Sequence, residues 1–112
     1  MATGGNYALS INQKFAKANI AASQTNEVIV TGVADRKIRV LALACVTGAT
    51  ATTITFNSAS TAISCLFANG ANGGEILPLN LAGWFETAVG AALTGTTGAG
   101  ATTGVQVVYI EV

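Results

Sequence analysis

The segment Lys37-Ile38-Arg39-Val40-Leu41-Ala42-Leu43-Ala44-Cys45-Val46-Thr47 decides the fold class. Its first half alternates. Ile38, Val40, Ala42 and Ala44 fall on one face and Lys37 and Arg39 on the other, the period of two of a strand. Beyond Arg39 the second face turns apolar as well, through Leu41, Leu43 and Cys45. A strand that is apolar on both faces is covered on both. In a chain of 112 residues the second cover is expected from another subunit, which marks Leu41 and Leu43 as candidate interface residues.

Working outward, the same reading repeats. Ala34-Asp35-Arg36 before the segment and Gly48-Ala49-Thr50 after it are turn candidates. Residues 18–24 give a short strand, and Glu27 to Val33 is rich in Val and Ile. Thr52, Ile54 and Phe56 alternate with Thr53, Thr55 and Asn57, as in a half-exposed strand. Ile63, Cys65 and Phe67 form a further inward set. The loop Asn69-Gly70-Ala71-Asn72-Gly73-Gly74 then precedes a short strand from Glu75 to Leu79. An irregular connection follows over 80–90, a weak strand over 91–94, a low-complexity hairpin loop over 95–104, and a strong strand from Thr102 to Val112. No segment has sustained helical spacing. Many short strands separated by turns predict an all-β chain, a small antiparallel β-sandwich or jelly-roll-like domain over 18–112. Residues 1–17 read as an extended N-terminal arm, with Tyr7, Leu9 and Ile11 alternating.

Composition narrows the function. Five basic and five acidic residues leave no net charge, and charged residues are 9% of the chain against roughly 25% in ordinary soluble domains. A nucleic-acid partner is not expected, because neutralising phosphates takes uncompensated Lys or Arg. Ala, Thr and Gly supply 49 of the 112 residues. Ten charges are few for a monomer's surface, and a low net charge removes the repulsion that keeps copies apart, so assembly is expected. The uncharged stretches 40–74 and 87–110 are long enough to span a bilayer. Their Thr and Gly content opposes a helix, so no membrane is expected. The first twelve residues lack a basic segment followed by an apolar run, so no secretion signal is expected.

The chemistry-bearing residues are sparse. There is no His, which excludes imidazole-metal sites and His-based triads. Cys45 and Cys65 are too few for a zinc site and are expected as free thiols. Gly98, Gly100 and Gly104 do not have dinucleotide-loop spacing and precede a strand. No Ser lies in a nucleophile elbow. Glu75 and Glu86 flank Trp84 and invite a paired-carboxylate reading, but solvated loop charges explain them as well. Arg36, Lys37 and Arg39 read as a hydrated strand end or a contact for an acidic partner. Trp84 and Phe85 are large apolar groups in a chain with few others. They are expected, with Pro78, to anchor one end of the core; the competing reading is an exposed sugar-stacking platform. No catalytic residue, cofactor or metal is expected, and the chain is expected not to be an enzyme.

Three segments carry a family resemblance. They are Lys37-Ile38-Arg39-Val40-Leu41-Ala42, then Leu77-Pro78-Leu79-Asn80-Leu81-Ala82-Gly83-Trp84-Phe85-Glu86-Thr87, and the ending Val108-Tyr109-Ile110-Glu111-Val112. Over residues 27 to 112 the chain resembles small structural proteins of tailed bacteriophages, of the capsid decoration (cement) type, with related domains in tail and fibre components. The resemblance implies a β-sandwich or jelly roll without catalysis, a homotrimer, and placement on the capsid exterior of a virion, bound to the major capsid protein after assembly in the host cytoplasm. A receptor- or glycan-binding fibre module is the alternative it leaves open.

Overall fold

The computed structural model describes residues 12–112. Ten strands account for every regular element among them: β1 (Lys14–Ile20), β2 (Glu27–Val30), β3 (Ile38–Thr47), β4 (Thr52–Ser58), β5 (Thr61–Ala62), β6 (Phe67–Asn69), β7 (Gly74–Leu77), β8 (Phe85–Glu86), β9 (Leu93–Thr97) and β10 (Thr103–Glu111). No helix among the described residues is long and apolar enough to cross a membrane.

The strands form two five-stranded antiparallel sheets. Sheet A runs β1-β10-β3-β7, with β8 also on β3, and sheet B runs β2-β9-β4-β5, with β6 also on β4. The pairing is nested. The first strand meets the last, β2 meets β9, β3 meets β7 and β8, and β4 meets β5 and β6. This is a jelly roll: one long hairpin of N- and C-terminal halves, wrapped so that successive rungs alternate between sheets. The expected all-β sandwich is therefore the fold. The core between the sheets is built from Ile20, Ile38, Val40, Leu43, Cys45, Ile54, Phe56, Leu93, Val105 and Val107. Phe56 stacks on Phe85 with centroids 5.6 Å apart and meets Phe67 edge-on at 6.0 Å.

Several details differ from the sequence reading. On β3 the inward residues are Ile38 and Val40, then Leu43, Cys45 and Thr47, while Ala42 and Ala44 are only half-buried. The cause is a β-bulge. Val108 pairs with Ala42 and the next residue, Tyr109, with Val40, so Leu41 has no partner on β10. One extra residue reverses the parity of everything after it. Leu41 (0% exposed) and Leu43 are thus both buried by their own chain, and neither is a subunit interface. β1 begins at Lys14, so residues 14–17 of the expected arm belong to sheet A; the rest of that arm, up to residue 11, lies outside the described residues. The 95–104 run is not a hairpin loop. Gly95–Thr97 are in β9, residues 103 and 104 are in β10, and the 98–102 connection passes from sheet B to sheet A. Cys65 is exposed, since no strand forms over 63–66.

Candidate interaction surface

Each sheet has an outer face, and the two are built from different residue types. On sheet A the register aligns Phe15, Val108 and Ala42 in one row, then Lys17, Gln106, Ala44 and Ile76, then Asn19, Gly104, Val46 and Gly74. Phe15 is 76% exposed on edge strand β1, Ile76 is 80% exposed on edge strand β7, and Val46 is 58% exposed between them. Between the Phe15 and Ile76 ridges the floor is Ala42, Ala44 and Val108, and the resulting shallow groove holds about 370 Å³. A second depression of about 280 Å³ continues it over Asn19, Val46 and Gly104. Over these three rows the face carries one cation, Lys17, and no carboxylate. Scattered exposed apolar residues are ordinary, but apolar residues aligned on one sheet face make a candidate contact surface.

Sheet B turns Thr and Asn outward instead. Asn57, on β4, is buried, and its Nδ2 lies within donor range of Thr96 Oγ1 (3.0 Å), Asn26 Oδ1 (3.2 Å) and Thr94 Oγ1 (3.3 Å). Thr94 Oγ1 donates in turn to the Ala59 carbonyl at 2.6 Å. These polar groups satisfy one another and need no partner.

The Trp84 loop occupies the edge of sheet A. β7 pairs with β3 at 43–46 and β8 pairs with it at 39–40, so the two short strands are one edge interrupted opposite the Leu41 bulge. The interruption is a self-contained loop. Pro78 has no N–H to continue a ladder, Asn80 N donates to the Leu41 carbonyl, and Trp84 N donates to the Val40 carbonyl. Asn80 Oδ1 accepts from Ala82 N at 3.0 Å, and the Trp84 indole N–H donates to the Pro78 carbonyl at 2.7 Å. Gly83 sits at φ +91°, and a Cβ there would strike the Arg39 side chain. Trp84 is 41% exposed and Pro78 is exposed, so neither plugs the core; that position belongs to Phe85, through its stack on Phe56. Trp84 clasps its own loop.

The charged candidates pair locally. Arg39 Nε lies 2.7 Å and Lys37 Nζ 3.5 Å from the Glu86 carboxylate, and the Arg39 hydrogen bond holds that carboxyl below its ordinary range. Glu86 thus neutralises two of the three cations grouped at the strand end. Glu75 accepts from the Cys45 thiol at 3.2 Å, and burial pushes that thiol up to about 11. Glu75 and Glu86 pair with β3 residues six positions apart, roughly 20 Å along a strand, too far for the two-carboxylate chemistry of glycosidases. Among the described residues no group of three His, Cys, Asp or Glu is placed to hold a metal.

Sequence reasoning missed Phe15, Ile76, Val46 and Gln106 as the exposed face. The available signal was an apolar residue at each sheet edge beside a charge, in Lys14-Phe15 and Glu75-Ile76. It could not be used without the register. Comparisons with known protein families, curated proteins and solved structures return no match.

Proposed function

We propose that the protein is a non-enzymatic structural component of a virion, a capsid decoration or cement protein that binds and stabilises the outside of a phage head. The observation that carries this reading is the outer face of sheet A. Its exposed Phe15, Ile76 and Val46 stand around an alanine floor that the core does not use. Such a face suits repeated, close, weakly polar contacts, and a lattice multiplies weak contacts into stable attachment. The jelly roll adds an analogy only, since viral capsid and lectin domains share it. The proposed partners are the major capsid protein and further copies of the chain; a homotrimer on the capsid exterior is what the sequence resemblance adds. The test is co-sedimentation with undecorated heads assembled from the major capsid protein of the phage that encodes it. Saturable binding that raises the heat stability of the shell is expected. Absence of binding rejects the proposal.

A second reading has its own observation. Trp84 is 41% exposed near Asn80, with its ring held by the Pro78 hydrogen bond, and a preorganised ring of this kind stacks on sugars in a fibre module. Glycan-dependent quenching of the single Trp, together with calorimetric glycan binding that is lost in Trp84→Ala, would favour it over the decoration role.

A further inference from the structure

We infer that the outer face of sheet A pairs with the same face of a second copy, around a two-fold axis running between β10 and β3 parallel to the strands. This rests on the reading of that face as a contact surface and names its occupant.

The register itself supplies the complementarity. Gly104 pairs with Val46, Gln106 with Ala44, and Val108 with Ala42. A two-fold between these strands lays β10 of one copy over β3 of the other, row for row. Gly104 then faces the second copy's Val46, Gln106 faces its Ala44, and Val108 faces its Ala42. In all three rows a larger side chain meets a smaller one, as interdigitating sheets require. At the rim Asn19 comes over Gly74. Lys17 comes over Ile76, where its stem lies on the aliphatic side chain and its ammonium stays in water.

Gly104 points the same way. A Cβ there would meet only Asn19 Oδ1 at 3.4 Å and the Val46 carbonyl oxygen at 4.0 Å, and Gly104 is not among the positive-φ residues. Its own chain has no need of glycine at this position, although glycine inside a strand weakens it. Close approach of another chain accounts for it. By contrast, Gly74 on the same face is required internally, because a Cβ there would strike the Cys45 carbonyl.

Polarity and charge also suit a copy of itself. The two Gln106 side chains flank the axis in the same row, and each amide carries a donor and an acceptor for the other. The two Lys17 residues fall at opposite edges, separated by three strand spacings or about 14 Å, beyond the ~8 Å screening length at physiological salt. The patch is roughly 19 Å by 20 Å, so about 400 Å² per copy is covered, at the weak end of specific interfaces. The pair therefore dissociates on dilution.

Light scattering over a dilution series up to the solubility limit is the test. Assemblies of an even number of 11.2 kDa chains are expected at high concentration. Gln106→Glu sets two carboxylates across the axis and should weaken pairing roughly tenfold or more at neutral pH. Pairing should return as the pH falls through the ordinary carboxylate range. Gly104→Val should keep the fold, with an unchanged or raised melting temperature, and lose the pairing. A single-chain or three-chain mass throughout, or pairing indifferent to both substitutions, overturns the inference. Head binding is scored separately, so its failure would reject the decoration role and leave this pairing standing.

Discussion

The outer faces of the two sheets show what a small neutral sandwich does with surface that its core does not need. Sheet B closes its face chemically: Asn57, Asn26, Thr94 and Thr96 hydrogen-bond to one another, and the residues that look available to water are already occupied. Sheet A leaves its face open, with Ala42 and Ala44 between the exposed Phe15 and Ile76. Both faces carry few charges, so charge alone does not separate them. What separates them is where hydrogen-bonding capacity is spent. A Thr/Asn face satisfies itself, whereas an Ala/Ile/Phe face gains only by being covered.

Two nearby residues on β3 separate the inside of sheet A from its outer face. Leu41→Lys places an ammonium where the side chain is fully buried, and an unpaired buried charge costs more than about 4 kcal/mol. The variant should not fold. Ala44→Lys, three residues on and facing outward, should change stability by less than about 1 kcal/mol while abolishing self-association. Urea melts paired with light scattering separate the two. The next largest effect belongs to sheet B. Asn57→Ala leaves the Asn26, Thr94 and Thr96 oxygens without their shared donor and should cost about 1–3 kcal/mol. Gln106→Ala on sheet A makes no such loss and should leave the denaturation midpoint of the dilute protein in place.

Trp84→Ala should cost about 1–2 kcal/mol, the value of a half-buried ring and one hydrogen bond. A core plug would cost roughly 3–5 kcal/mol, so thermal melting decides between clasp and plug. The smallest effect is at Glu86. Its folded carboxyl is depressed, so the stability it contributes is present above the ordinary unfolded carboxylate value and is lost as pH falls through the folded one. Glu86→Gln should be destabilised by about 0.5–1 kcal/mol at neutral pH and match the parent in acid, as read by melts at both pH values.

The fold class was legible because alternation survives in most strands: Thr52, Ile54 and Phe56 point inward as their period requires. The exposed apolar face of sheet A was not. In Val40-Leu41-Ala42-Leu43, adjacent apolar residues fit a strand covered on both sides and also fit a bulge that reverses parity. Local pattern cannot choose between them, because the choice depends on how Val108 and Tyr109 of a distant strand pair across. The same limit hid the Trp84 loop, whose hydrogen bonds to the Val40 and Leu41 carbonyls exist only because β7 and β8 straddle the bulge. The weak-looking 91–94 segment leads into β9, which lies between β2 and β4 in sheet B. At its Gly95 a Cβ would come within 2.9 Å of Ile20 Cδ1.

The central claim is that sheet A's outer face is covered in the working state and sheet B's is not. Hydroxyl-radical footprinting of the dilute protein and of the concentrated or head-bound protein measures this residue by residue. Phe15, Val46 and Ile76 should lose reactivity on assembly. Val28 on β2 and Leu66 before β6, both exposed on the single chain, should keep theirs. Protection of Val28 and Leu66 with Phe15 and Ile76 still reactive would contradict the claim.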